Sequence, residues 1–265
     1  MTGQEAEIRF TDGAAYDRFM GPWSRKVGAV FLEWLAAPAG LSWLEIGCGT
    51  GMFTELLLDS AAPARVVGID PAPAQIAHAR SKPVADRAEF RVGDAHELPF
   101  GARAFDAVAS ALVFNFIADL PRALGEMRRV TRPGGWVGGY VWDLTGELSV
   151  LRYLQAPIKA LKPEIPRTPG IEQSRIAALT QIFAGAGLDD VMARPIDVAR
   201  SYASFDEYWQ VFLDNPNPLS AFASGLPPAE HESLRQAMRA GMPVAADGTV
   251  TFTARANAIK ARVPE

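Results

Sequence analysis

The feature that most constrains the fold is a set of three alternate glycines, Gly47, Gly49 and Gly51, placed directly after the short apolar segment 43–46. Apolar positions at helical spacing follow the third glycine. This order predicts a strand, a tight turn and a helix, which is one unit of an α/β fold. Because glycine has no Cβ, such a turn can bend sharply and bring bare backbone amides close to a ligand at the end of the strand.

The spacing of these glycines separates two classes of nucleotide-binding protein. It is G-x-G-x-G, whereas the dinucleotide fingerprint is G-x-G-x-x-G, with its last glycine one residue further along. Glu45 lies two residues before the first glycine. A carboxylate there can hydrogen-bond a cationic or hydroxyl-bearing ligand and would repel a pyrophosphate. Both features disfavour the alternative of a nicotinamide-dependent oxidoreductase.

The stretch 43–54 resembles the first motif of the class I S-adenosylmethionine (SAM) dependent methyltransferases. Two later segments, Pro99-Phe100 and 132–135, resemble the quinone-biosynthesis-like branch, methyltransferase type 11. The resemblance covers residues 14–142. It implies a Rossmann-like α/β fold, with a doubly wound, mostly parallel sheet of seven strands whose last strand is antiparallel. It also implies SAM as cofactor, S-adenosylhomocysteine (SAH) as product and a small-molecule methyl acceptor.

Asp70 is the strongest single site prediction. It ends the apolar segment 65–69 and lies 19 residues after Gly51, close to the spacing at which an acid binds the ribose in nucleotide-binding α/β folds. A carboxylate can accept hydrogen bonds from both ribose hydroxyls at once. The alternative role is that of a helix N-cap before Pro71.

The resemblance extends the cofactor site to three further places. Asp94 would accept the adenine amino group, with the amide of Ala95 serving a ring nitrogen, although Asp94 could instead cap the next turn. An N-terminal helix would lie over the cofactor as a lid, with Arg25 near the ligand carboxylate; simple packing of this helix on the sheet is the alternative. Ligands of open α/β sheets bind outside the carboxyl ends of the strands, so the end of the fourth strand should border the methionine part. The remaining predicted cofactor-binding residues are Tyr16, Met20, Cys48, Pro71, Gly93, Ser110, Ala111 and Leu112.

Two polar residues near the same edge are catalytic candidates. Asn115 could orient the acceptor but cannot take a proton, and Asp143 could contact the acceptor; a local turn role is the alternative for each. The three histidines, His78, His96 and His231, are expected to face solvent, and no metal site is predicted. We therefore expect in-line methyl transfer that depends on positioning rather than strong base catalysis.

The 265 residues are expected to form a single domain with a mainly helical cap. The predicted core comprises 14–143, 171–197 and 248–263, and the cap insertions 144–170 and 198–247 would cover the acceptor. Within the predicted core, a Gly-Pro turn at 21–22 is expected before the first helix, and residues 191–196 are expected to form the sixth strand.

Composition limits the other classes of function. The net charge of −4 argues against nucleic acid, and no long apolar run suggests a membrane span. A single cysteine and the lack of a secretion signal at the N-terminus indicate a cytoplasmic protein. The oligomeric state is left open. A SAM-binding regulatory or non-catalytic protein is the alternative that these patterns leave in place.

Overall fold

The structure is a computed structural model that describes residues 13–145, 152–161, 170–214 and 218–265, without the side chains of residues 13–19, 152, 154, 155 and 218. The described strands are β1 Ser42–Ile46, β2 Arg65–Asp70, β3 Glu89–Val92, β4 Phe105–Ala111, β5 Thr131–Trp142, β6 Asp189–Tyr202 and β7 Val250–Arg262. The described α-helices are α1 Gly13–Leu35, α2 Met52–Ser60, α3 Pro73–Arg80, α4 Leu120–Val130, α5 Arg152–Leu161, α6 Ile176–Gly185, α7 Phe205–Leu213, α8 Pro218–Ser224 and α9 Pro228–Gly241. Short 3-10 helices occupy Pro83–Asp86, Phe114–Phe116 and Glu172–Ser174.

The strands form one sheet in the order β3-β2-β1-β4-β5-β7-β6. Pairing is parallel from β3 to β5, and β7 is antiparallel to both of its neighbours. This confirms the predicted seven-stranded sheet with an antiparallel last strand. The strand order reverses between β1 and β4, and ligands of such sheets bind at the carboxyl ends of the strands flanking this point.

The sheet is buried on both faces because apolar side chains alternate along its strands. Trp43 and Tyr140 point to one face, where α1, α2, α5, α7, α8 and α9 pack. Leu44 and Val141 point to the opposite face, where α4 and α6 pack. In the part of the chain that is described, no helix is both long and apolar enough to cross a membrane.

Two element boundaries differ from the prediction. The predicted Gly-Pro turn is wrong: α1 continues through Pro22, although proline removes one helix hydrogen bond. Burial of Trp23 and Val27 on the following turns offsets that loss, and Gly21 lets the helix approach Met52 at the start of α2. The sixth strand is also longer than predicted, because β6 stays paired with β7 as far as Tyr202. Residues 198–202 therefore belong to a long hairpin rather than to the cap.

Candidate functional site

The glycine turn between β1 and α2 has the backbone that only glycine adopts without strain. Gly47, Gly49 and Gly51 have φ values of 69°, 51° and 82°, and the Gly51 amide donates to the Cys48 carbonyl at 2.9 Å. A Cβ on Gly47 would lie 2.5 Å from Val113, whereas a Cβ on Gly49 would have no described atom within 4 Å. The turn is thus packed at its base and open at Gly49.

Asp70 is joined to this turn by its side chain. One carboxylate oxygen accepts the Gly49 amide at 3.0 Å and the other accepts the Ala72 amide at 2.9 Å. Burial raises the pKa of Asp70, and these two hydrogen bonds oppose that shift. A carboxylate offers about four acceptor positions, so two remain for ligand hydroxyls. The structure brings the acid and the turn together. The contact of Asp70 with the ribose and the contact of the adjacent Pro71 with the cofactor stay predictions.

Glu45 lies beneath the turn instead of opening onto it. Its side chain is buried and accepts a hydrogen bond from the Thr54 hydroxyl. Burial raises the pKa of Glu45 to about 8, with a smaller contribution from the charge of Asp70. This position gives Glu45 an electrostatic influence on a ligand at the turn rather than an open surface for contact.

Two acids adjoin the turn, and burial raises the pKa of both. A positive charge placed beside them would lower those pKa values and stabilise the ionised forms. The same surroundings raise the pKa of the Cys48 thiol, first through burial and then through the charges of Glu45 and Asp70. Cys48 is therefore a poor nucleophile. Its amide donates to the Ile69 carbonyl and links the turn to β2.

The loop after β3 holds a histidine that sequence reasoning misjudged. His96 was expected to face solvent, but its amide and its Nδ1 both lie within hydrogen-bond distance of one oxygen of Asp94, at 2.8 and 2.7 Å. Its Nε2 accepts the Asp119 amide at 3.4 Å, and Asp119 caps α4 through the Arg122 amide. The hydrogen bond from the His96 amide is also the leading cause of the lowered pKa of Asp94. The bond to the His96 amide could have been predicted locally, because an Asp side chain often accepts the backbone amide two residues further on, in an Asx-turn.

The structure is compatible with both roles weighed for Asp94, the local turn and the ligand contact. The turn role is present, and its side chain is 65% exposed at the carboxyl edge of the sheet. The Gly93 amide donates to the carbonyl of Asp70, at the end of β2, at 3.1 Å. The adenine contacts of Asp94 and Ala95 stay predictions.

The end of β4 is shaped by backbone strain. Leu112 is buried with a φ of 63°, an unusual value for a branched residue, and its amide donates to the Tyr140 carbonyl at 2.7 Å. The Ser110 hydroxyl is buried and donates to the Ile46 carbonyl at 3.1 Å, which makes it a link between strands. Ala111 is half-buried between them. Contact of these three residues with the methionine part of the cofactor stays a prediction.

Helix α1 packs against α2 and the sheet, and its role as a lid over the cofactor stays a prediction. Met20 is buried, and Gly21 lies against Met52 next to the glycine turn. Arg25 forms an ion pair with Glu55 of α2, so its predicted contact with a ligand carboxylate would require that pair to open. The side chain of Tyr16 lies outside the described residues.

The catalytic candidates lie at the same edge of the sheet, in local structure. Asn115 is buried in the 3-10 helix after β4, and its carbonyl lies close to Gly170. One oxygen of Asp143 accepts the amide and the hydroxyl of Thr145, each at 3.0 Å, so the turn role weighed for it is present. Their acceptor contacts stay predictions.

No described group of three or more histidine, cysteine or acidic side chains could hold a metal ion. His231, expected to be solvated, packs against Trp209 of α7 with ring centroids 5.3 Å apart. It therefore belongs to the packing between α7 and α9.

Comparison with known proteins adds to this geometry. Residues 44–138 match a family described as a methyltransferase domain. The chain is 38% identical over 120 residues to a malonyl-(acyl-carrier protein) O-methyltransferase of Pectobacterium atrosepticum, covering 45% of this chain and 46% of that protein. It is 43% identical over 115 residues to a demethylmenaquinone methyltransferase of Thermus thermophilus, covering 43% and 50%. The chain thus spans about half the length of the curated relatives it matches.

Among solved structures, the chain is similar to phosphoethanolamine N-methyltransferase 2 of Haemonchus contortus in complex with SAM. The TM-score is 0.61 at 17% identity, over 96% of this chain and 57% of that one. At this identity the likeness concerns the fold alone. Residues 44–138 are therefore similar to a methyltransferase domain, and the described fold is similar to that of a methyltransferase solved with SAM.

Proposed function

We propose that this protein transfers the methyl group of SAM to a small-molecule acceptor. The observation that carries the proposal is the open glycine turn at Gly49, held by Asp70 and placed above Glu45. A turn with bare amides and adjoining acids suits a cationic nucleoside amino acid and disfavours a pyrophosphate. The net negative charge of the chain supports a small-molecule acceptor over nucleic acid.

The residues present fit the cofactor in shape as well as charge. The lack of any described atom within 4 Å of a Cβ at Gly49 leaves room for a ligand against the backbone. When bound, SAM supplies an electrophilic methyl group on a sulfonium, which leaves as a neutral thioether. We assign Asp70 to the ribose hydroxyls and Asp94 to the adenine amino group.

The chain's own contribution to the reaction is positioning and exclusion of water. The strained backbone at Leu112 fixes the end of β4, and α1 covers the start of α2. Among the described histidines, His96 is engaged by Asp94 and Asp119, and His231 lies in the cap. We therefore infer that alignment of the acceptor, rather than a strong general base, carries catalysis.

Calorimetry and turnover test the proposal separately. SAM and SAH should bind to the purified protein, whereas NAD should give no heat. SAH release would then be followed with phenols, quinols, amines and malonyl thioesters as acceptors, because the two curated relatives named above act on different acceptors. Absence of SAM and SAH binding would overturn the proposal.

A SAM-binding regulatory protein is the second candidate function. It is supported by the placement of the residues: those with defined contacts lie at the cofactor turn, and both catalytic candidates are engaged in local structure. SAM binding without SAH release on any acceptor class would favour it.

A further inference from the structure

We infer that His96 is a positioning residue that orients Asp94 toward the adenine amino group of the cofactor, and that the backbone amide of Asp119 sets the tautomer in which it does so. This inference rests on the proposed function, which assigns Asp94 to that amino group. It goes further because it adds a residue outside the predicted cofactor contacts and specifies where the proton of its ring lies.

Two contacts from His96 converge on one oxygen of Asp94. The His96 amide donates to Oδ1 at 2.8 Å, and the ring nitrogen Nδ1 lies 2.7 Å from the same atom. Among the described residues, no hydrogen bond reaches the other oxygen, Oδ2. Two donors on Oδ1 fix the rotation of the carboxylate, so Oδ2 is left as the acceptor for a ligand.

The tautomer of His96 follows from its second ring nitrogen. Nε2 lies 3.4 Å from the Asp119 amide nitrogen, and a backbone amide can only donate. Nε2 must therefore be without a proton, which places the proton of the neutral ring on Nδ1, facing Asp94. In the opposite tautomer, lone pairs would meet at Asp94 and two N–H groups would meet at Asp119.

Helix α4 holds the His96 ring in place. Asp119 is the N-cap residue of α4, and its side chain accepts the Arg122 amide at 3.1 Å. The amide that meets His96 thus belongs to a fixed helix end. The same loop is joined to α4 a second time, because the Leu98 amide donates to the Glu126 carboxylate at 2.9 Å. The helix therefore sets the position of the ring.

A local turn would need only one of these contacts. The hydrogen bond from the amide of residue 96 to Asp94 closes an Asx-turn with any side chain at position 96. The contact of Nδ1 with Asp94 and the contact of Nε2 with Asp119 both require the imidazole ring. The ring therefore does more than close the turn.

The surroundings of the pair suit an amino group as ligand. The His96 side chain is 24% exposed and that of Asp94 is 65% exposed, so the carboxylate faces outward from an enclosed ring. The hydrogen bonds from His96, first from its amide and then from its ring, lower the pKa of Asp94, and the charge of Arg122 adds to this effect. Asp94 is thus held as a carboxylate, which accepts from an amino group and cannot donate to a carbonyl oxygen.

Two substitutions separate the contacts of the ring. In His96→Asn the side-chain amide reaches the position of Nδ1 and can donate to Asp94, but it is too short to reach the Asp119 amide. In His96→Gln the side-chain oxygen reaches the position of Nε2 and can accept from Asp119, but the donor to Asp94 is lost.

The main experiment compares the binding of SAH and its 6-oxo analogue, S-inosylhomocysteine, by calorimetry at pH 8. The analogue has a carbonyl oxygen in place of the adenine amino group, and a carboxylate repels it. We expect the wild type to bind SAH at least about tenfold tighter. His96→Ala and His96→Gln should reduce that ratio severalfold, His96→Asn should keep most of it, and His78→Ala on α3 should leave it unchanged. Because both ligands are measured on the same variant, any loss of folded protein cancels in the ratio.

Asp94→Asn distinguishes failure of this inference from failure of the proposed function. An amide at position 94 can donate to the 6-oxo group, so the ratio should fall toward one. If neither ligand binds to the wild type, or if Asp94→Asn keeps the wild-type ratio, the proposed cofactor contacts fail. If Asp94→Asn lowers the ratio and His96→Ala does not, His96 has no positioning role.

NMR of the free protein tests the tautomer without any ligand. The ring nitrogens of His96 in nitrogen-15-labelled protein at pH 8, assigned by the loss of their signals in His96→Asn, should show the proton on Nδ1. This is the less common neutral form of free histidine, so its presence requires an acceptor at Nδ1 or a donor at Nε2. A proton on Nε2 would overturn the inference whatever the binding ratios.

Discussion

Glu45 and Asp70 are neighbouring acids whose surroundings differ. Asp70 is half-buried and accepts two backbone amides, which replace much of the water it loses. Glu45 is enclosed and accepts one hydroxyl from Thr54. One neutral hydrogen bond does not compensate for burial of a carboxylate, so the pKa of Glu45 rises to about 8 and the free protein holds it mainly protonated at neutral pH.

This difference predicts a pH-dependent stability that depends on Glu45. Its pKa rises from an ordinary value of 4.5 to about 8 on folding, so between these values the native state binds more protons than the unfolded state. Its contribution is complete below pH 4.5 and is lost as pH rises to 8, by at most about 1.4 kcal/mol per pH unit. Glu45→Gln stays neutral and can still accept from Thr54.

We expect Glu45→Gln to be close to the wild type at pH 5 and more stable by on the order of 3 kcal/mol at pH 8. Guanidinium unfolding of both proteins at four pH values between 5 and 8 measures the difference. The range starts at pH 5 because Asp94, Glu126 and Asp197 have lowered pKa values, and their opposite slope falls at lower pH. A stability difference that does not change with pH would contradict the assignment.

Asp70 should matter mainly for the cofactor. Asp70→Ala removes the acceptors assigned to the ribose and releases the Gly49 amide, so calorimetry should show SAM affinity reduced more than tenfold, or about 1.4 kcal/mol. Asp106→Asn is the matched control: Asp106 also links strands, by accepting the Ser42 amide at 2.8 Å and pairing with Arg132, but it lies at the start of β4. That variant should lose stability and keep its SAM affinity. Unchanged affinity in Asp70→Ala would remove the ribose role.

At the scale of elements, the glycine turn allows its structural and ligand-binding parts to be tested separately. In Gly47→Ala, residue 47 would keep a φ of 69°, and its new Cβ would lie 2.5 Å from Val113. Strain and overpacking should together reduce the free energy of unfolding by about 2–4 kcal/mol. In Gly49→Ala the space is open, so only the left-handed backbone costs energy, about 1–2 kcal/mol.

For SAM affinity the order should be reversed, with the larger loss in Gly49→Ala. The methyl group of Gly49→Ala would occupy the space assigned to the ligand, and we expect at least about a tenfold loss of affinity in calorimetry. Gly40→Ala is the control for backbone strain, since Gly40 has a φ of 80° with open space around it and lies outside the turn. If Gly49→Ala bound SAM like the Gly40 variant, the open side of the turn would not be the ligand side.

Elements with strong local signals were predictable from sequence. The glycine turn was predicted on residues next to each other in the chain, and the structure contains it. The caps of α4 and α7 are equally local, because Asp119 and Ser204 each accept the amide three residues further on. Features that depend on distant contacts were missed. Helix α1 continues through Pro22 because of its burial against α2 and the sheet, and the length of β6 is set by its pairing with β7.

The candidate site likewise has a part that the sequence predicts and a part that depends on contacts between distant residues. Asp70 could be placed next to Gly49 because the carboxyl ends of neighbouring parallel strands meet at one edge. The tie from His96 to Asp119 and the ion pair of Arg25 with Glu55 join residues 23 and 30 positions apart. No local pattern predicts such partners. The aromatic cluster likewise brings together α1, β5, the β6–β7 hairpin and α7, and its members are Trp23, Trp142, Tyr202, Tyr208 and Phe252.

At the scale of the whole molecule, one apolar cluster joins the cap to the core. It runs from Trp43 and Phe53 beneath the glycine turn, through Trp23 of α1, to Leu234 and Met238 of α9. Because this interior is continuous, the cap should unfold together with the sheet. A separate module would instead have a core of its own. The single domain expected from the sequence stays a prediction that this cluster supports.

Leu234→Ala tests that cooperativity. Leu234 is 1% exposed within the cluster, so the cavity should reduce the free energy of unfolding by about 2–5 kcal/mol. Gln236→Ala on the exposed face of the same helix should have little effect. Hydrogen exchange in increasing guanidinium, resolved by mass spectrometry, reports on α9 and β1 separately. If the cap and core are one unit, Leu234→Ala lowers the opening free energy of both by the same amount. If α9 opens early while β1 keeps its wild-type midpoint, the cap is an independent module whose packing on the sheet does not stabilise it.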